Sequence, residues 1–542
     1  MRPYSLTLAD KLLNHQVLNL SKISMNKLKR NQFLLVLLIL IQLQVVAQKT
    51  LVKVACIGDS VTAGYLLVNP TTESYPSQLQ MLMGEKYEVK NFGHSGATLL
   101  KKGHNPYYKT KEWTDALAFS PDIAIIHLGL NDTDPRNWPN FKEEFDFDYT
   151  WLIDSLKKQN PVVKIYICRM TPIFNEHRRF KSGTRDWYWQ IQDHISTIAK
   201  ANQAGLIDLH EKLYHRPDLF PDALHPIKEG AAILAQTVYE NITQDFGGFK
   251  LASVFTDNMV LQRNQPIIVY GTANGNDVVE VDFKQQKGTV ITDKQGKWKV
   301  SFPALSKGGP YQMTVRYKDE NIVLKNILVG DVWFCSGQSN MAFELKKSQN
   351  GKEEVKQAIA NSTIRLFNSK NLRDTDDTAW DSITIAKTNQ LKFFSGSWTV
   401  CDSVTAKDFS AIAYYFGKKI AYEENVPIGL IQVAVGGSPI ESWIDRYTLE
   451  HDDKVVDELT NWRKSDFFMP WVRERADVNL KNATNTKQRH PYDPCYNFEA
   501  GVEVFTKFPI KGIIWYQGES NAHNIELYEH LLPTLVQSWR KT

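Results

Sequence analysis

From Leu51 onward, short apolar runs alternate with stretches whose apolar residues recur every three to four positions. Leu51–Ile57, Tyr87–Phe92, Ile123–Leu128 and Lys164–Cys168 read as strands; Tyr149–Lys158, Trp187–Ala201 and Ile227–Phe246 read as helices. Strands alternating with helices predict a parallel α/β sheet. After Gly247-Gly248 the period changes to two, in Ile267–Tyr270, Val278–Phe283, Trp298–Phe302 and Tyr311–Tyr317, with turn residues between them. That pattern predicts a small β-sandwich. From Val329 the α/β texture returns, with Ile428–Val435 and Ile510–Tyr516 as buried strands and the polar stretch 371–398 as an insertion or long loop. The predicted units are residues 50–246, 249–330 and 331–542.

The N-terminus has a different pattern. Met25-Asn-Lys-Leu-Lys-Arg-Asn is basic, Phe33–Ile41 is apolar, and the stretch ends in Val-Val-Ala47-Gln48. This is the layout of a secretory signal peptide over residues 25–47, and the apolar run is shorter than a bilayer span. Residues 1–24 look foreign in front of it, so Met25 is expected to be the start. The mature chain is then secreted or periplasmic, with no stable membrane insertion after cleavage; the rival reading is an uncleaved membrane anchor on an exported chain.

Composition narrows the partners. Over 542 residues, 42% are hydrophobic and 23% charged, enough for packed cores. The net charge is only +4, with no basic block, which argues against nucleic acid. Exposed members of the 14 Trp and 22 Tyr would suit stacking on sugar rings. None of the five cysteines forms a C-x-x-C pair, so neither metal nor redox chemistry is expected, and no cofactor. Cys56, Cys168 and Cys335 lie in strand-like runs and read as small buried hydrophobes.

The candidate chemistry sits at strand ends. Gly58-Asp59-Ser60 follows the first strand, where open α/β sheets build their sites. A serine hydroxyl needs a base, and Asp222-Ala-Leu-His225 supplies an imidazole with a carboxylate one turn away to orient it. Gly96 can offer a bare backbone N–H and Asn131 a side-chain amide; with the Ser60 N–H they make three oxyanion donors. His127 reads as a satisfied core histidine, His94 as a possible substrate contact, and Asp132 as a brace of the Asn131 turn.

Four blocks, Ile57-Gly-Asp-Ser60-Val-Thr-Ala-Gly-Tyr65, Asn91-Phe-Gly-His-Ser-Gly96, Gly129-Leu-Asn131-Asp132 and Asp222-Ala-Leu-His225-Pro226, resemble the SGNH (GDSL-like) hydrolase family. The resemblance implies a flavodoxin-like three-layer fold and a catalytic Ser60, Asp222 and His225, with Ser60, Gly96 and Asn131 as the oxyanion hole. From Leu251 the chain resembles the sialate O-acetylesterase family. The resemblance is carried by Val254–Arg263, Cys335-Ser-Gly-Gln-Ser339-Asn-Met341, Gly436-Gly437-Ser-Pro-Ile-Glu-Ser-Trp443 and Ile514-Trp-Tyr-Gln517-Gly-Glu-Ser-Asn-Ala522. It implies a second SGNH-like module in which Ser339 maps onto the nucleophile and Gly436, Gly437 and Gln517 onto oxyanion donors. Members of that family continue to a further strand, an Asp-x-x-His turn and a last helix, so the resemblance implies a module that is C-terminally incomplete here; no Asp lies three residues before His451, His490, His523 or His530, so no base is recognisable. The expected activity is removal of O-acetyl groups from sialic acid or another acetylated glycan. The alternatives are an acetyl-xylan type of esterase, or a single-site esterase with a glycan-binding C-terminal half.

Overall fold

The computed structural model describes residues 51–541; the expected leader, residues 25–47, and residues 1–24 lie outside them. The first strand, β1 (Val52–Gly58), is apolar on both faces, and Val54 to Ile57 are fully buried. Such a strand must be central, with neighbours on both edges and helices on both faces. It pairs in parallel with β2 (Tyr87–Gly93) and β3 (Ile123–His127), and the sheet continues through β4 (Lys164–Arg169) to β5 (Gly205–Asp208). The order β2-β1-β3-β4-β5 is flavodoxin-like. The sequence pattern missed β5, which has four residues and only one, Ile207, fully buried.

Two helices, Tyr75–Met83 and Lys228–Thr243, pack together on one side of the sheet. The helices Lys111–Phe119, Phe145–Gln159 and Thr184–Ala201 follow as crossovers on the other, as right-handed connections require when chain direction reverses at β1. The register sets the site. Gly58 pairs with both Gly93 and His127, so the loops after β1, β2 and β3 leave the sheet at one level.

The middle unit has two facing sheets. Val279, Val281 and Phe283 alternate inward from one; Trp298, Val300 and Phe302 alternate from the other. The strand Glu320–Gly337 then runs through residues 330 and 331 without interruption. Its first half pairs antiparallel with Gly308–Tyr317 of the sandwich, and its second half is the central strand of the next α/β unit. There it lies between Ile428–Ala434 and Gly512–Tyr516, both parallel, and Gly337 pairs with Ala434 and Tyr516. Both α/β units therefore flank the serine-bearing strand in the same way.

Two strand-level expectations need correction. Gly512–Tyr516 is only half buried, with Ile513 and Tyr516 exposed, because among the described residues it pairs on one side only. For the polar stretch 371–398, expected as an insertion or a long loop, the loop alternative fails. The stretch contains the helix Ser382–Asn389, capped by Asp381, and buries Trp380 and Phe393.

Candidate active site

Space around Gly58 forces the local turn. A Cβ there would lie 2.1 Å from Thr62 Oγ1 and 2.7 Å from the His127 carbonyl. The chain can thus fold straight from β1 into the short helix Ser60–Ala63. Asp59 caps that helix by accepting the Val61 N–H at 3.0 Å. Ser60 is its first residue, so its own N–H has no intrahelical acceptor.

Ser60 Oγ lies 2.8 Å from His225 Nε2. His225 Nδ1 lies 2.6 Å from Asp222 Oδ2, and the His225 backbone N–H donates to Asp222 Oδ1 at 2.7 Å. A carboxylate can only accept, so Nδ1 carries the proton and Nε2 is left to accept from the serine hydroxyl. Burial raises the Asp222 carboxyl, but hydrogen bonds from the His225 side chain and backbone outweigh it and hold the group at about 2. Ala223, between them, adopts φ +64°, a left-handed conformation that its surroundings must enforce.

Gly96 has φ +80°, with only Asn105 Nδ2 near the place of a Cβ, and among the described residues its N–H makes no hydrogen bond. Asn131 Nδ2 gives one hydrogen to the Ala97 carbonyl at 3.0 Å, which leaves the second free. The Ser60 N–H, Gly96 N–H and Asn131 amide thus all lie just beyond one register line.

The layer beneath extends one expectation and corrects another. Asp132 reaches beyond its own turn: its carboxylate accepts the Leu99 and Leu100 N–H groups, both at 2.9 Å, and so anchors the loop that carries Gly96. Burial pushes it up to about 7, against the pull of those N–H groups. His127 is only half satisfied. Its Nε2 accepts the Thr171 N–H at 3.2 Å, while Nδ1 faces buried Asp59 Oδ1 at 3.6 Å without a hydrogen bond. His94 turns Nδ1 to Glu112 Oε2 at 2.9 Å and stays partly exposed.

Three neighbours escaped sequence reasoning. The half-exposed Tyr65 ring lies 4.9 Å from the His225 ring, brought there by the left-handed turn at Gly64 that ends the Ser60 helix. His177 is lowered to about 4 by burial, with Arg179 and Arg178 acting in the same direction and Asp222 opposing. Arg179 pairs with Asp134 at 2.7 Å, which ties the loop after β4 to the loop after β3. Only Tyr65 carried a local signal, as part of the Gly58-to-Tyr65 block.

In the second α/β unit, Ser339 opens the helix Ser339–Ala342 after Gly337, and it is exposed. A Cβ on Gly436 would lie 3.9 Å from Ser339 Cβ, so these two are together. Gly437 has φ +75°, and Tyr492 OH and Trp471 occupy the place of a Cβ. Gln517 departs from expectation: Nε2 donates to Ser438 O at 3.2 Å and to Asn521 Oδ1 at 2.8 Å, which uses both amide hydrogens on the protein itself. Among the described residues Ser339 Oγ makes no hydrogen bond to a histidine. His530 pairs with Asp452, His490 is buried between Asn479 and the Tyr492 N–H, and His451 donates to the Tyr447 carbonyl. All five cysteines are buried and free. Among the described residues no helix is long and apolar enough to cross a membrane.

Comparison with known proteins finds two families along the chain. Residues 56–233 match the GDSL-like lipase/acylhydrolase family, and residues 329–465 match the carbohydrate esterase family of sialic acid-specific acetylesterases. The sialate O-acetylesterase of Rattus norvegicus is 28% identical over 324 residues, covering 54% of this chain and 56% of its own length. An acetylxylan esterase of Xylanibacter ruminicola is 33% identical over 214 residues, covering 34% of this chain and 42% of its own. A carbohydrate acetylesterase of Xanthomonas citri is a solved structure at 28% identity and TM-score 0.40, covering 54% of this chain and 57% of its own. The chain spans about half the length of the curated relatives it matches.

Proposed function

We propose that this chain, which carries both a GDSL-like acylhydrolase domain and a carbohydrate-esterase domain, is an exported carbohydrate O-acetylesterase acting on O-acetylated sialic acid. The observation that carries the reading is the hydrogen-bond chain Ser60–His225–Asp222, at 2.8 and 2.6 Å. Ser60 Oγ attacks the acetyl carbonyl as His225 Nε2 takes its proton. Asp222 keeps the imidazole in the required tautomer and stabilises the imidazolium. The Ser60 N–H, the Gly96 N–H and the Asn131 amide receive the developing oxyanion, each donor worth about 3 kcal/mol in the transition state. His225 then protonates the leaving sugar hydroxyl and activates water to release acetate from Ser60.

A second reading, an esterase for acetylated xylan, draws support from the 33% identity to an acetylxylan esterase. Acetate release from O-acetyl sialic acid and from acetyl-xylan separates the two. Ser60→Ala tests both: the variant should release no acetate above background from either, and full activity would sink the assignment.

A further inference from the structure

Ala223 holds φ +64° between Asp222 and His225, in a turn where Asp222 Oδ1 accepts the Leu224 and His225 N–H groups at 3.1 and 2.7 Å and the Ala223 N–H donates to Phe220 O at 3.0 Å. Part of the support is local: the Phe174 N–H donates to the Ala223 carbonyl at 3.0 Å. Further support for the segment comes from more than 260 residues away. Three side chains of the C-terminal unit donate to carbonyls spaced along the segment that leads into Asp222. Arg489 Nη1 reaches His215 O at 2.9 Å, Asn485 Nδ2 reaches Asp218 O at 3.0 Å, and Lys487 Nζ reaches Phe220 O at 3.0 Å.

Lys487 also pairs with Glu176 Oε2 at 2.7 Å, one residue before His177. A single ammonium thereby joins the two loops that flank His225. Val456 and Leu459 of the C-terminal unit pack against the core of the first unit, but that apolar contact does not fill the seam beside Lys487. A cavity of about 460 Å³ lies there, lined among others by Phe174, Pro217, Lys487 and Arg489. Where the contact is hollow, the directional hydrogen bonds set the loop position.

We propose that Asn485 and Lys487 are positioning residues for His225, so that the C-terminal carbohydrate-esterase unit, whatever its own activity, completes the Ser60 site by holding the Asp222–His225 loop. This rests on the assignment of Ser60, Asp222 and His225 given above. A displacement of the imidazole by a fraction of an ångström weakens proton transfer far more than substrate binding, so the effect belongs in kcat.

The test uses the full chain and acetate release from para-nitrophenyl acetate. Asn485→Ala/Lys487→Met should lower kcat at least about tenfold, with KM within about twofold. The downfield proton resonance of His225 Nδ1–H should shift or broaden. Lys487→Arg, which keeps both contacts within reach, should recover most of the rate. Lys297→Met removes a different link between units, the exposed pair with Glu211 at 2.9 Å, and should leave kcat unchanged. If the double variant does not fold, Lys487→Gln alone decides, with an expected loss of about fivefold. A kcat within about twofold of wild type in the folded double variant or in Lys487→Gln overturns the proposal, as does an equal loss in Lys297→Met. Ser60→Ala run beside them keeps the two ideas apart: if it stays active, the site assignment itself fails.

Discussion

Asp222 holds His225 at two points, accepting a hydrogen bond from Nδ1–H on Oδ2 at 2.6 Å and from the backbone N–H on Oδ1 at 2.7 Å. The same carboxylate therefore sets both the position of the ring and its tautomer. Asp222→Asn keeps the size but offers an N–H where a lone pair is needed, which favours the tautomer with its proton on Nε2. The expected loss in kcat is about 10⁴-fold with KM little changed. Because the group is held at about 2, it stays ionised across the working range. Its contribution to stability is present above the ordinary carboxyl pKa and is lost only as pH falls through about 2. Steady-state kinetics on a small acetyl ester check the first point, and acid titration of wild type against the variant checks the second.

Asp132 gives a prediction of the opposite sign. Its carboxyl is raised to about 7 by burial, so between about pH 4 and 7 the folded state keeps a proton that the unfolded state has released. Stability contributed by this group therefore declines as pH rises through that window. Asp132→Asn removes that slope. It also sets an amide donor against the Leu99 or Leu100 N–H, leaving a buried donor unpaired at a cost of about 1–3 kcal/mol. Because those residues follow Gly96, kcat should fall about tenfold while KM holds. Thermal melts from about pH 4 to 7 and kinetics at about pH 8 test both parts.

Ser60, Gly96 and Asn131 stood out as candidates because each lies within a few positions of a strand end, and strand ends show in the hydrophobic pattern; Asp222 and His225 lie well past β5, and only their Asp-x-x-His spacing marked them. The first four strands of the parallel sheet were legible from the same pattern, while their order was not. What stayed hidden depends on contacts between distant segments. Asp132 reaches the 99–100 backbone beyond its own turn, and nothing in Gly-Leu-Asn-Asp indicates that target. Gln517 fits the family pattern by type, yet Asn521 and Ser438 take its hydrogens once the loops fold. The strand Glu320–Gly337 passes through residue 330 because its period-2 half and its fully buried half are continuous in space, whereas the sequence shows only a change of texture.

Ser339 is the control for the site assignment. It has the turn and the neighbouring Gly436, but among the described residues no histidine bonds its hydroxyl. A serine without a base is a poor nucleophile. Ser339→Ala should leave acetate release from a small ester within about twofold of wild type, while Ser60→Ala removes it. The reverse result would transfer the activity to the second unit.

His215 gives the seam between the units its own pH dependence. Its Nδ1 lies 3.2 Å from Glu499 and its Nε2 3.1 Å from Glu503, and the buried Glu499 also accepts from Arg446 and Arg489, each at 2.8 Å. Burial would lower the imidazole, but the two carboxylates raise it to about 9. A base raised on folding adds stability that is complete below its unfolded pKa of about 6.5 and lost as pH rises through about 9. At about 1.4 kcal/mol per pH unit the loss is on the order of 3 kcal/mol. Wild type should therefore melt at progressively lower temperature from about pH 6.5 to 9.5, while His215→Gln, which cannot titrate, should melt lower at about pH 6.5 and change less. Calorimetric melts of both chains at matched ionic strength decide the matter. Parallel pH slopes for the two would mean that His215 does not carry the charge.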